Sequence, residues 1–140
     1  MREIHGDYHP NNIMISDGEL IMIDLGDFST GHPVFDFLAT AATQANLVDL
    51  APEYAEIHTK MKAERIRKGW STLLDQYFHD RTPQERKKID GQVRLFSKLK
   101  VACAPAVAKG ISEQLMIASV QDVKDNLFPH IEELIGTIDW

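Results

Sequence analysis

The segment that decides the fold runs from His5 to Asp24 and reads HGDYHPNNIMISDGELIMID. Two short apolar runs within it are separated by Asp17-Gly18. An Asp-Gly pair between such runs is typical of a two-residue hairpin turn, because both central residues of that turn take a positive φ. The segment therefore predicts an antiparallel β-hairpin whose entering and leaving polar flanks lie side by side at one end.

The residues after the hairpin predict a helix that carries one carboxylate among apolar side chains. Pro33 suits the first turn of a helix. The run from Val34 to Ala42 is apolar on nearly every side, which is typical of a central, buried helix. A buried carboxylate is costly unless it is hydrogen-bonded. We therefore expect Asp36 to accept a hydrogen bond from the backbone of the loop that precedes the hairpin.

The rest of the chain keeps the spacing of apolar residues that helices show. A change of phase between Met61 and Ile66 predicts two helices or a bend at that point. Three more helices are predicted, with starts at Thr82, Ser112 and Pro129. The first of these begins with the capping-box pattern Thr82-Pro83-Gln84-Glu85, and we expect it to bury Cys103 and to end at Gly110.

Composition and charge limit the class of protein. The chain has 140 residues, of which 44% are hydrophobic, and a formal charge of −6 with histidine neutral. This fits one domain over residues 1–140, with a loop and hairpin at 1–32 and a helical part at 33–140. The acidic balance argues against nucleic acid and anionic membranes as partners, because both require a basic face. No apolar run reaches the length of a membrane span, and the N-terminus has no apolar core of a signal peptide, so we expect a cytoplasmic protein.

Oxygen-bearing side chains gather on the two flanks of the predicted hairpin. Asp7 and Asn12 precede the first strand, and Asp24 ends the second. Carboxylate and amide oxygens are hard ligands that can share a Mg²⁺ ion, so we expect Asn12 and Asp24 to bind one. Asp7 is then free to face a substrate hydroxyl. Phosphoryl transfer from ATP uses such a set, in which a carboxylate aligns the hydroxyl and a metal offsets the phosphate charge.

The sequence resembles the aminoglycoside phosphotransferase and choline kinase-like family, which is distantly related to the protein kinases. The family's loop H-G-D-x-H-x-x-N is matched at residues 5–12, and Asp24-Leu25-Gly26 stands where the kinases have D-F-G. The segment Gly31 to Ala39 looks like the family's G-x-P-x-x-D-L-A, with Phe37 in place of Leu. The resemblance implies an α+β, mostly helical fold, namely a protein-kinase-like C-terminal lobe in which a catalytic-loop hairpin precedes a helical bundle.

The resemblance also implies roles for individual residues. Asp7 would be the catalytic base, or the carboxylate that orients the hydroxyl, and Asn12 and Asp24 would hold Mg²⁺. Asp27 lies in the family's acidic turn and is a further candidate without an assigned role. Three more side chains would keep the loop in shape: His5, His9 and Asp36. The phosphate donor would be ATP or GTP, and the acceptor would be a hydroxyl of a small molecule.

The family's N-terminal ATP lobe has no counterpart in this sequence. No phosphate-covering glycine loop and no phosphate-binding lysine motif can be identified. We therefore expect this truncated chain to have little or no kinase activity alone. Without that lobe, Ile4, Met14 and Met22 should be partly uncovered, which predicts a homodimer or a tendency to aggregate through that surface.

Two other functions stay open. The chain could be a non-catalytic, kinase-like binding module that is used for its helical surface. It could also be a metal-dependent hydrolase, because His5, Asp7 and His9 offer imidazole and carboxylate ligands on one loop. Bound zinc or manganese would favour the hydrolase, and magnesium-dependent nucleotide binding would favour the phosphotransferase.

Overall fold

Two small antiparallel sheets form the N-terminal part of the computed structural model, which describes residues 2–103 and 112–138. Strand β1 (Arg2–Ile4) pairs with β4 (Ser29–Gly31), and β2 (Ile13–Ser16) pairs with β3 (Glu19–Met22). The turn between β2 and β3 has φ values of 52° at Asp17 and 84° at Gly18, the positive values that the Asp-Gly pair predicts. The predicted hairpin is therefore confirmed.

The remainder of the described chain is mostly helical, as the α+β expectation requires. Its α-helices are α1 (Val34–Ala41), α2 (Val48–Leu50), α3 (Pro52–Thr59), α4 (Ala63–Tyr77), α5 (Pro83–Cys103), α6 (Glu113–Asp122) and α7 (Ile131–Thr137). A wider π-helical turn, Ala42–Leu47, joins α1 to α2, and a second one follows α6.

The helix boundaries follow the local signals in the sequence. Lys60 ends α3 with a left-handed φ of 59°, so the phase change after Met61 separates two helices. At the start of α5, the backbone N–H of Thr82 donates to Glu85 Oε2 at 2.8 Å, and Glu85 N–H donates to Thr82 Oγ1 at 3.3 Å. This is the predicted capping box. Ser112 caps α6 as expected, whereas the predicted end of the long helix at Gly110 lies outside the described residues.

The largest core cluster surrounds α1, which confirms that this helix is central. Phe37 of α1 packs edge-on against Trp70, with ring centroids 6.2 Å apart, and against Tyr77 at 4.8 Å. The indole Nε1 of Trp70 donates to Asp90 Oδ1 at 2.8 Å, so the polar atom of this buried ring is satisfied. Helices α4 and α5 therefore fix the position of α1, and α1 in turn supports the loop at residues 5–12.

Two expectations about burial are wrong. Ile4 is buried, because β1 pairs with β4 and the Ile4 side chain packs over Gly31. Cys103 is exposed. Since an α-helix turns about 100° per residue, the ten residues after buried Val93 rotate Cys103 about 80° away from the core-facing side. Within the described residues, no helix combines the length and the apolar character needed to cross a bilayer.

Candidate functional site

The buried ring of His5 joins the start of the loop to the end of the hairpin. Its Nε2 lies 2.9 Å from the carbonyl oxygen of Ile23, and its Nδ1 accepts from the backbone N–H of Asp7 at 3.4 Å. A neutral ring with its hydrogen on Nε2 satisfies both contacts. His5 therefore links the backbone of Ile23, the residue before Asp24, to the backbone of Asp7.

Gly6 is required by its conformation and by its surroundings. Its φ is +83°, and a Cβ added there would lie 2.6 Å from the carbonyl oxygen of Asp27. Only glycine combines the left-handed φ with so close an approach. The backbone N–H of Gly6 donates to Asp36 Oδ1 at 2.8 Å, which confirms the expected bond from the loop to the carboxylate of α1.

A second side chain of α1 also holds the loop. The hydroxyl of Thr40, which is almost fully buried, donates to the carbonyl oxygen of Tyr8. Residues four apart lie on the same face of a helix, so Asp36 and Thr40 form one attachment for the loop. The spacing of Thr40 one helical turn after Asp36 is a signal present in the sequence, although Thr40 belongs to none of the predicted site residues.

His9 shapes the second half of the loop. It caps the short 3₁₀ turn Pro10–Asn12, since its Nδ1 accepts from the backbone N–H of Asn11 at 3.2 Å. Its Nε2 lies 3.3 Å from Asp7 Oδ2. His5 and His9 thus each use both ring nitrogens in contacts with the loop or with the end of the hairpin. This arrangement favours the phosphotransferase over the metal-dependent hydrolase as the interpretation of the two histidines.

Asn12 is buried, and the two atoms of its amide group differ in their contacts. The nitrogen Nδ2 donates to the carbonyl oxygen of Asp7 at 3.0 Å. The side-chain oxygen has no hydrogen bond with any described residue. The backbone oxygen of Asn12 accepts from Ile23 N–H at 3.0 Å, so Asn12 lies at the same end of the hairpin as Asp24.

Asp24 precedes a short 3₁₀ turn, Leu25–Asp27, and Asp27 ends it; both residues are exposed. Asp24 takes φ 60° and ψ 60°, a left-handed conformation that non-glycine residues adopt rarely. Its carboxylate makes no hydrogen bond or ion pair with the described residues. Asp27 contributes its backbone beside Gly6, and its side chain is exposed as well.

The Asp7 carboxylate has two partners. Lys100, in the last turn of α5, places its Nζ 2.8 Å from Asp7 Oδ1, and His9 approaches the other oxygen. Partial burial raises the pKa of Asp7, but the hydrogen bond and the charge of Lys100, together with His9, outweigh burial and hold this pKa below the usual range of aspartate. Asp7 is therefore an ionised acceptor at neutral pH.

Sequence reasoning missed Lys100. It lies 93 residues after Asp7, and no motif or local spacing marks it. The long, capped helix α5 carries it to the loop, so only the packing of α5 against α1 could have shown the contact.

The donor atoms at the end of the hairpin fit a Mg²⁺ ion. The Asn12 nitrogen is held, which leaves its oxygen available, and the Asp24 carboxylate is unpaired in the described part of the chain. Both are hard oxygen ligands, and Mg²⁺ in phosphoryl-transfer sites takes one or two protein oxygens besides phosphates and water. Among residues 2–103 and 112–138, no three His, Cys, Asp or Glu side chains form a group that could hold a metal alone.

Comparison with known families agrees with this geometry. Residues 3–65 match the profile of the family described as the phosphotransferase enzyme family. The matched range contains the loop, the hairpin, Asp24 and Asp36, so the resemblance to the aminoglycoside phosphotransferase-like family is confirmed. Neither the curated proteins nor the solved structures gave a significant match to the chain.

Proposed function

We propose, from the match of residues 3–65 to the phosphotransferase enzyme family, that the chain is the catalytic lobe of a kinase-like enzyme. The enzyme moves the γ-phosphate of ATP or GTP to a hydroxyl of a small molecule, with Mg²⁺ as cofactor. The chain would then have the C-terminal lobe of a protein-kinase-like fold, in which the loop and hairpin lie on a helical bundle.

Asp7 acts on the acceptor. Its ionised carboxylate accepts a hydrogen bond from the acceptor hydroxyl and turns a lone pair of that oxygen toward the γ-phosphorus. The hydroxyl oxygen forms the new bond to phosphorus. The bond between phosphorus and the β–γ bridging oxygen breaks, and its electron pair leaves with the nucleoside diphosphate. The hydroxyl proton moves to Asp7, so atoms and charge balance.

Asn12 and Asp24 hold the cation. When bound, Mg²⁺ supplies positive charge that offsets the charge of the nucleotide phosphates. The observation that carries this assignment is the contrast between the two atoms of the Asn12 amide. Its nitrogen donates to the carbonyl oxygen of Asp7 at 3.0 Å, while its oxygen has no hydrogen bond with the described residues. The residue that orients the acceptor thereby also orients a metal ligand. His5, His9 and Asp36 keep the loop in this geometry.

Magnesium-dependent nucleotide binding tests the proposal directly. We expect calorimetry to detect ATP binding with Mg²⁺, and at least about ten-fold weaker binding after Asp24→Asn, because a neutral amide oxygen replaces the charged carboxylate ligand. Asp17→Asn is the matched control, since Asp17 is exposed at the opposite end of the same hairpin. Equal affinity in Asp24→Asn and Asp17→Asn would contradict the metal assignment. An absence of heat in the unchanged protein at millimolar ATP would favour the non-catalytic module.

The role of Asp7 is separable from that of Asp24. Asp7→Asn keeps the size of the side chain but removes its capacity to take a proton. We expect this variant to bind magnesium nucleotide like the unchanged protein, whereas any transfer to the acceptor that the unchanged chain supports should fall by at least about a hundred-fold. The measurement is a comparison of nucleotide affinity with phosphorylated product in the same preparation. Loss of both properties would show that Asp7 serves the metal site instead.

A further inference from the structure

The contact between Lys100 and Asp7 gives the acceptor side of the site a mixed charge. Lys100 Nζ and Asp7 Oδ1 are 2.8 Å apart, and the side chains remain 46% and 34% exposed, so a ligand can reach both. Lys98, two residues earlier on α5, instead binds Asp122. Lys100 is thus a separate cation directed at the loop, in a chain whose formal charge is −6.

Both partners keep hydrogen-bonding capacity. An ammonium group has three donors, and Lys100 uses one of them on Asp7. A carboxylate has about four acceptor positions, and Lys100 and His9 take two of them. Donors on Lys100 and acceptors on Asp7 therefore remain free side by side within the described structure.

A ligand that satisfies both groups needs a hydroxyl and an anion close together. The hydroxyl donates to Asp7, and the anionic group accepts from Lys100. A hydroxyl and a carboxylate on neighbouring carbons have the spacing of a contact this short. A cationic acceptor would instead bring a second positive charge against Lys100, and the Asp7 charge that could attract it is already neutralised.

We propose that Lys100 is a specificity-determining residue that selects acceptors with an anionic group on the carbon next to the hydroxyl, of the 2-hydroxycarboxylate class. The assignment rests on the proposed function, because it takes Asp7 as the group that receives the acceptor hydroxyl. It concerns recognition of the acceptor and involves neither the cation nor the nucleotide.

Two small molecules of opposite charge test the assignment. Lactate and 1-amino-2-propanol share a methyl group and a secondary hydroxyl, and they differ in carrying a carboxylate or an ammonium group beside it. Titrations followed through the backbone amide signals of Gly6, Asp7 and Tyr8 report binding at the loop without requiring turnover. We expect lactate to bind at least about five-fold more tightly than 1-amino-2-propanol, the factor given by one unit-charge contact in water.

Variants of Lys100 separate recognition from folding. Lys100→Met should abolish the preference for lactate, and Lys100→Glu should reverse it, whereas loss of a merely structural contact would not reverse a charge preference. The matched control is Lys87→Met, which removes the same charge from an exposed position of α5, about 20 Å along the helix. It should keep the preference of the unchanged chain.

Equal responses to the two ligands, no response to lactate at millimolar concentration, or an unchanged preference in Lys100→Met would overturn the assignment. These outcomes differ from failure of the proposed function. Magnesium-dependent nucleotide binding that is normal in Lys100→Met and lost in Asp24→Asn would leave the phosphotransferase proposal intact. A chain that binds lactate through Lys100 but never binds magnesium nucleotide would contradict the proposed function alone.

Discussion

The loop and hairpin at residues 2–31 and the helical part at residues 34–103 are stabilised by different interactions. In the first part only Ile4, His5 and Asn12 are buried, and the loop is fixed by hydrogen bonds between side chains and backbone. In the second part apolar side chains from α1, α4 and α5 form the largest core cluster. The loop therefore depends on the helices for its support, because it has almost no core of its own.

Two attachments transmit that support. Asp36 and Thr40 of α1 hold the backbone of Gly6 and Tyr8, respectively. Lys100 of α5 reaches Asp7 from the other side. The packing of α1 against α5 thus sets the position of the candidate catalytic carboxylate. Substitutions in the core should therefore change the stability of the loop.

Removal of the central indole tests this dependence with the largest expected effect. Trp70→Ala removes a side chain that is 2% exposed, together with its bond to Asp90, so we expect a loss of about 3–5 kcal/mol in the free energy of unfolding. Denaturant unfolding measures the loss. Hydrogen exchange at the Gly6 and Ile23 amides should accelerate in parallel, because the loop has no independent core.

Trp70→Phe is the control, since it keeps an aromatic ring in the core and removes the bond to Asp90. It should cost less, about 1 kcal/mol for the lost hydrogen bond, because Asp90 is only partly buried and its Oδ1 keeps the bond from Arg94. If the loop amides in Trp70→Ala kept their protection while the helices lost theirs, the two parts would be independent, contrary to the structure.

Two glycines with nearly the same φ separate backbone strain from close approach. Gly6 and Gly18 have φ values of +83° and +84°, but only a Cβ at Gly6 would meet another residue, at 2.6 Å from Asp27 O. We expect Gly18→Ala to cost about 1 kcal/mol from conformation alone. Gly6→Ala should cost at least about 2 kcal/mol, because Asp27 must also move.

Thermal unfolding of both glycine variants gives the comparison. Gly6→Ala should also weaken magnesium-dependent nucleotide binding, since displacement of Asp27 disturbs the turn that begins at Asp24. Equal destabilisation by the two substitutions would show that the loop adapts to the added methyl group and that the approach to Asp27 is not a constraint.

The local parts of this architecture were predictable because each is determined by a few residues that are close together in the sequence. The hairpin follows from Asp17-Gly18, the start of α5 from its capping box, and the bond of Asp36 to the loop from the cost of burying a carboxylate. The resemblance named the loop residues for the same reason, since the motif residues contact one another within the first part of the chain.

The contacts that depend on tertiary packing were not predictable in this way. Lys100 and Asp7 are 93 positions apart, and nothing in the sequence gives the angle at which α5 crosses α1. Burial of Ile4 depends on the pairing of β1 with β4, which joins two three-residue strands too short to show an alternating pattern. Exposure of Cys103 depends on how far α5 rotates beyond the core.

The hairpin exposes large apolar side chains. Ile15 and Leu20 are opposite each other on β2 and β3 and are 75% and 76% exposed. We expect Ile15→Thr combined with Leu20→Thr to change the free energy of unfolding by less than about 1 kcal/mol, because neither side chain contributes to the core. Self-association should fall, because an exposed apolar patch is removed.

Sedimentation at increasing protein concentration measures this change. Half-exposed Met14 and Met22 belong to the same predicted surface, whereas buried Ile4 does not. A sharp monomer mass in the unchanged chain at high concentration would contradict the predicted homodimer. The double variant would then show no decrease in self-association.

The smallest expected effect concerns a carboxylate of the helical part. Glu56 accepts from the backbone N–H of Ala63 at 2.9 Å and pairs with Lys62 at 3.1 Å. The bond from Ala63 and the contact with Lys62 hold the pKa of Glu56 below its usual value. The stabilisation is therefore complete above the ordinary pKa of glutamate and is lost as the pH falls through the lowered pKa of the folded state.

Glu56→Gln should remove this pH dependence. Its unfolding midpoint should therefore be lower than that of the unchanged chain near neutral pH, and the two midpoints should approach each other in acid. Glu19→Gln, at an exposed hairpin position, is the matched control, and its unfolding midpoint should change with pH as that of the unchanged chain does. The site at Asp7 and Asp24 should show no effect, because Glu56 makes its two contacts with Ala63 and Lys62, at the start of α4. Equal midpoints for Glu56→Gln and the unchanged chain at neutral pH would mean that water replaces the carboxylate at the first turn of α4 without loss.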